Sequence, residues 1–177
     1  MPRPNAPADD RGPAADTFAD VLEANEGYAA EFRLQGLTAP AKRGLAVLTC
    51  MDSRIEPLAM LGLQPGDAKI LRNAGARVTD DVLRTLVLAR YLLGVHRAMV
   101  VAHTECRMSG ITEAEVHAAI SESGGPDTRS MSFHVATDQE ASLRADVQRI
   151  RSWPYLQDLD AAGFRYDVGT GRLTRVC

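Results

Sequence analysis

Cys50, His103 and Cys106 are the residues of this sequence best suited to chemistry. Two thiolates and an imidazole form a common zinc set, and three protein donors leave one tetrahedral position open. Water at such a position is activated as a nucleophile. Two thiolates cancel the charge of a zinc ion, so this site should acidify water less than an all-histidine site, and nearby polar groups would have to help. The run Cys50-Met51-Asp52-Ser53-Arg54 supplies them. The Asp52 carboxylate, two residues beyond a ligand, can accept a hydrogen bond from the bound water. Arg54 can pair with Asp52 and keep it ionised. The same carboxylate can instead swing in as a fourth ligand, so the pair can act as a gate. Plainer readings stand beside these. A buried cysteine at a strand end is often a small hydrophobe, and Asp52 with Arg54 is also an ordinary ion pair.

The elements around these residues say how they could meet. Residues 44–50 form a nearly continuous apolar run, which suits a strand covered on both faces. A short helix at 57–63 and a second strand at 68–72 follow, then a turn at Asn73-Ala74-Gly75. Thr79 caps the clearest helix, with Asp80 and Asp81 in its first turn. Val82, Leu83, Leu86, Ala89, Tyr91 and Leu93 are its expected core face. The third strand, 98–102, runs straight into His103-Thr104-Glu105-Cys106. Helices are expected at 112–121 and from Thr137 or Asp138 to about Ser152, and a closing hairpin over 164–176. Strands alternating with helices predict an α/β fold, a single domain with a mostly parallel central sheet flanked by helices. Cys50 would close the first strand, and His103 and Cys106 would follow the third. Ligands of open α/β sheets gather outside the carboxyl ends of strands, so the three donors would converge.

Before this domain, Asp16 or Thr17 can cap a helix carrying Phe18, Val21, Leu22, Tyr28, Ala29 and Phe32 as a loose apolar stripe. It reads as an N-terminal helical arm that must bury its stripe on its own domain or on a partner subunit. Residues 1–16, with four prolines and no apolar stretch, read as a disordered N-terminal tail and not as a secretory leader. The domain itself is expected over 17–177.

The chain has 177 residues, 45% apolar and 24% charged, which suits one soluble domain. A net charge of −3 gives a nucleic-acid partner no electrostatic support, and no apolar run is long enough for a membrane span. Three cysteines do not make a disulfide framework, so a cytoplasmic protein is expected. Cys177 reads as a free terminal thiol. His96 reads as a surface or capping residue, His117 as lying on a helix face and His134 in a loop, either of which could shuttle protons, Glu105 as solvated or paired with an arginine, and Asn73 and Gly75 as shaping a turn. A thiol phosphatase would need arginine six residues after its cysteine, where Glu56 and Thr112 stand. The C-x-x-C of a redox protein is absent. The first strand's turn lacks G-x-G-x-x-G.

Cys50-x-Asp52-x-Arg54 joined to His103-x-x-Cys106 resembles the β-class carbonic anhydrases, and Arg72-Asn73-Ala74-Gly75 resembles that family's intervening segment. The similarity runs over about residues 41–108. The short chain and the segment from Tyr166 to Gly171 are similar to a compact bacterial branch, which also resembles carbonyl sulfide hydrolases. The resemblance implies one zinc ion per chain on Cys50, His103 and Cys106, with Asp52 and Arg54 as the catalytic dyad. It implies reversible hydration of carbon dioxide to bicarbonate by metal-bound hydroxide, and a homodimer or higher oligomer in which the N-terminal helix reaches across. Two alternatives stay open. One is hydrolysis of carbonyl sulfide or carbon disulfide at the same zinc. The other is a non-catalytic structural zinc module with Asp52 as permanent fourth ligand. One departure matters: Arg107 stands where the family usually has glycine.

Overall fold

The computed structural model describes residues 17–177. The expected tail at 1–16 lies outside them. The chain divides into two units, Met1–Leu37 and Thr38–Cys177. In the first, helix α1 spans Ala19–Ala30, one residue later than a Thr17 cap would set it. Its N-cap is Phe18, whose carbonyl accepts the Val21 and Leu22 N–H groups. Helix boundaries of this kind shift by a residue or two when no side chain fixes them. Phe18, Val21, Leu22 and Tyr28 are all exposed, and the Tyr28 and Phe32 rings meet edge to face at 5.6 Å.

The second unit is built on five strands: β1 (Leu45–Cys50), β2 (Ala68–Asn73), β3 (Arg97–His103), β4 (Asp160–Tyr166) and β5 (Leu173–Arg175). Their order is β2-β1-β3-β4-β5, with every pair parallel except β4 and β5. All six residues of β1 are buried, because both faces of the sheet are covered there. Ala46 and Leu48 face the layer of α3 (Asp80–Leu92) and α5 (Gln139–Arg151). Leu45 and Val47 face the side of α2 (Pro57–Met60), packed with Leu58, Leu61 and Leu63. Each fully buried aliphatic side chain of this kind contributes about 1.5–3 kcal/mol.

Local chemistry sets the helix starts. The Thr79 hydroxyl accepts the Val82 N–H at 3.4 Å to open α3. Helix α4 (Glu113–Glu122) opens on a reciprocal capping box between Thr112 and Glu115. Asp138 accepts the Ala141 N–H at 3.0 Å to open α5. Two expectations need correcting. Tyr91 is 65% exposed under the Arg90 guanidinium, because the buried stripe of α3 is Val82, Leu83, Leu86 and Ala89. The expected hairpin strand is the end of a longer one. β4 starts at Asp160 and runs parallel to β3 before turning back on β5. Its first half, Ala161-Ala162-Gly163, is poor in strand-forming residues, so pairing with β3 and not propensity makes it a strand.

The order of the strands positions the site. From β1 the chain goes to β2 on one side, and from β3 it goes to β4 on the other. The loops after β1 and β3 therefore part, leaving a crevice between the carboxyl ends of adjacent strands.

Candidate metal centre

Cys50 is the last residue of β1 and His103 the last of β3, so register alone brings them to one edge of the sheet. Cys106 returns to the same place because the chain reverses at Glu105, which has φ +57°. The donor atoms of Cys50, His103 and Cys106 all lie within 4.8 Å of one another, and the three residues are 5%, 1% and 8% exposed. The two Sγ atoms are 4.0 Å apart. His103 Nδ1 is 2.9 Å from the Thr104 carbonyl, which can only accept, so Nδ1 carries a proton there. Nε2 faces the two sulfurs. It is buried and has no hydrogen-bond partner among the described residues. An orphaned imidazole nitrogen beside two thiols is what a soft divalent cation would satisfy, and this donor set fits zinc.

The electrostatics of the three side chains point the same way. Cys50 is pulled down to about 3, first by its bond from the Cys106 thiol, then against burial by His103 and the Gly75 and Asp52 backbone. Cys106 is pushed up, first by that same shared bond and then by burial. Two buried sulfurs so close hold one proton between them, and a second negative charge needs a cation to neutralise it. Burial pushes His103 down, but Cys50 and the charge of Asp52 outweigh it, and its net shift is upward.

Around the triad lies a polar frame. Both Asp52 carboxylate oxygens are held by Arg54, with Nε–Oδ1 at 3.0 Å and Nη2–Oδ2 at 2.9 Å. That fork, with the Arg54 N–H also on Oδ1, holds the Asp52 carboxyl well below the usual range. Asp52 Oδ2 is 4.0 Å from His103 Nε2. Glu105 is paired with an arginine, as one reading expected, and the partner is Arg54 at 2.7 Å. Arg107 is exposed and lines a cavity of about 560 Å³ with Glu105 and Cys106.

Several supporting bonds carried no signal in the sequence, although Arg72, Asn73 and Gly75 stood in the segment that bore the resemblance. Arg72 donates to the carbonyls of Cys50 (3.1 Å) and Asp52 (2.7 Å). The Gly75 N–H donates to Cys50 Sγ at 3.3 Å. Gln139 Nε2 donates to the His103 carbonyl at 2.9 Å. Asn73 shapes the turn, as expected, by bonding both the N–H and the carbonyl of Arg77. The other histidines serve elsewhere. His96 lies over Gly44, where a Cβ would be 1.9 Å from its ring. His117 bonds Thr128 and tilts against Phe133. A roomier cavity of about 780 Å³ opens at the amino-terminal edge of the sheet, between Leu45, Arg97 and Asp160, and contains none of the triad.

Comparison with known proteins agrees with this geometry. Residues 45–173 match a family model described as carbonic anhydrase. The chain is similar to β-carbonic anhydrase 1 of Mycobacterium tuberculosis, 34% identical over 160 residues, covering 89% of this chain and 96% of the relative. It is also similar to a carbon disulfide hydrolase of Acidianus, 32% identical over 87% of this chain and 86% of the relative. Among solved structures, a carbonic anhydrase from Streptococcus mutans superposes with a TM-score of 0.86 at 37% identity, covering 93% of this chain and 99% of that one.

Proposed function

This chain belongs to the carbonic anhydrase family, in its β class, and we propose that it catalyses the reversible hydration of carbon dioxide to bicarbonate on Cys50, His103 and Cys106. The cofactor is Zn²⁺, one per chain, which when bound supplies a Lewis acid that makes water nucleophilic near neutral pH. The single observation that carries the reading is the orphaned Nε2 of His103, aimed at two cysteine sulfurs beside an arginine-held carboxylate. Cys50 and Cys106 act as thiolates and His103 as a neutral imidazole through Nε2. Asp52 accepts a hydrogen bond from the attacking water and turns its lone pair toward the carbon. Arg54 fixes the carboxylate in that orientation through two parallel bonds. Carbon dioxide and water give bicarbonate and a proton, and the proton leaves to buffer.

Asp52 in this reading orients and does not close the site, because Arg54 occupies both its oxygens. That favours an enzyme over a structural zinc module with Asp52 as permanent fourth ligand. The second reading, hydrolysis of carbon disulfide or carbonyl sulfide, is supported by the similarity to the Acidianus hydrolase. We place the protein in the cytoplasm as a homodimer or larger assembly, with the exposed Phe18, Val21, Leu22 and Tyr28 stripe set on a second copy. No helix among the described residues is long and apolar enough to cross a membrane.

Stopped-flow hydration on protein of measured zinc content tests the function at neutral and alkaline pH. Rapid hydration that rises with pH is expected. Full zinc with no hydration, but release of hydrogen sulfide from carbon disulfide or carbonyl sulfide, would replace the substrate. Full zinc with neither activity would make the site structural.

A further inference from the structure

The turn after β2 is bent in a way its sequence does not favour. Gly75 has φ +79° and Ala76, only 2% exposed, has φ +56°. Two successive left-handed residues, one of them an alanine, cost energy and persist only where the surroundings hold them. Here the surroundings are specific. Asn73 Oδ1 accepts the Arg77 N–H at 2.8 Å, and Asn73 Nδ2 donates to the Arg77 carbonyl at 2.7 Å, closing the turn across its base. The Arg77 guanidinium then ties it to the rest of the domain. Nε donates to Asp146 Oδ2 of α5 at 2.7 Å, Nη2 reaches Oδ1 at 3.4 Å, and Nη1 donates to the carbonyls of His134 (2.6 Å) and Val135 (3.2 Å). Asp146 is itself among the few buried charged residues. The product of this bend is the Gly75 N–H aimed at Cys50 Sγ, 3.3 Å away.

We infer that Arg77, clamped by Asn73 and Asp146, is a positioning residue for the metal centre that holds the Gly75 N–H on the Cys50 sulfur. The inference rests on the reading of Cys50 as a metal ligand. It answers the difficulty posed by the ligand set. Two thiolates neutralise a divalent cation and blunt its pull on water, and an N–H···S bond draws charge back from the sulfur. Arg77 touches neither donor nor substrate, and it acts through the backbone of the turn.

The decisive probe is the protein loaded with ¹¹³Cd²⁺, read by amide proton NMR. The parent is expected to show scalar coupling between cadmium and the Gly75 amide proton, transmitted through the N–H···S bond. Arg77→Met, and the gentler Asp146→Asn, are expected to lose or sharply reduce it while circular dichroism shows a folded chain. Zinc binding in both variants should weaken by about tenfold, the lower end of what outer partners of metal ligands usually carry. Arg84→Met, which breaks an exposed pair with Asp81, should change neither. Cadmium that binds without coupling to Gly75 in the parent would overturn the inference alone, as would coupling unchanged in both variants. Cadmium whose resonance is indifferent to Cys50→Ser would overturn the ligand assignment, and the inference with it.

Discussion

The two loops that carry the donors are held in different ways. The loop after β1 is pinned through its backbone and its sulfur: Arg72 on two carbonyls, the Asn73 carbonyl on the Met51 N–H at 3.0 Å, and Gly75 on Sγ. Its support leads inward, through Arg77, to α5. The loop after β3 is held at its root by Gln139 on the His103 carbonyl, and by the Thr104 hydroxyl accepting the Val168 N–H at 3.0 Å. Past Thr104 its side-chain tie is the ion pair of Glu105 with Arg54, whose side chains are 71% and 45% exposed. Exposed pairs of this kind contribute little. The first loop is therefore tied inward by Arg72 and Gly75, and the second, past Thr104, by backbone: the Met108 carbonyl accepts the Ala136 N–H at 2.9 Å and the Gly110 N–H donates to the Ala136 carbonyl at 3.1 Å. Beside the contact of the two cysteine sulfurs, Arg54 joins the two loops, holding Asp52 of the first and Glu105 of the second.

Changes to the donors should erase the contrast altogether. Cys50→Ser and Cys106→Ser are each expected to lose zinc and essentially all hydration, since a neutral hydroxyl is a poor substitute for thiolate. Metal analysis checks this, and a fully metallated, active Cys106→Ser protein would remove that loop from the centre. Asp52→Asn should separate binding from turnover, with zinc content near normal and hydration reduced by at least about 100-fold, the range expected for a group positioned on the reacting water. Unchanged hydration would take Asp52 out of the mechanism.

The pH dependence of metal affinity is a smaller effect with a definite sign. Cys106 is shifted upward by the bond it shares with Cys50, so it holds a proton that zinc must displace, and the upward shift of His103 acts in the same direction. Affinity should therefore rise with pH, by about tenfold per unit for each proton released. Competition titrations at several pH values measure it, and a flat profile would contradict the shared-proton picture. Glu105→Gln should do least, no more than about a threefold change in hydration with zinc retained, because it loosens only the exposed tie. A loss comparable to Asp52→Asn would mean that the second loop depends on Arg54 as much as the first does.

The legible parts of this molecule were those written in local pattern. The apolar runs at β1 and β3 ended on Cys50 and His103, so strand ends alone brought donors together. Thr79 announced its helix through side-chain chemistry, whereas 112–121 was read as a helix without its Thr112–Glu115 box. What stayed hidden depends on tertiary partners. Ala161-Ala162-Gly163 looks like no strand until β3 pairs with it. Tyr91 fits an apolar stripe by spacing but falls outside the arc that α3 buries. The Gly75 N–H is a backbone group, and its role follows from a turn whose clamp, Asp146, lies far along the chain. The Glu105–Arg54 pair was open to reasoning only as a class of partner, since no spacing links those two positions.

We propose that Cys50, His103 and Cys106, and no fourth protein donor, hold the metal while Arg54 keeps Asp52 aside. X-ray absorption at the zinc edge of the parent protein at alkaline pH tests it most directly. Two sulfurs at about 2.3 Å, one imidazole, and one light-atom position that exchanges with added anions are expected. A shell with a single sulfur, or a fourth position that no anion displaces and that Asp52→Asn abolishes, would contradict it.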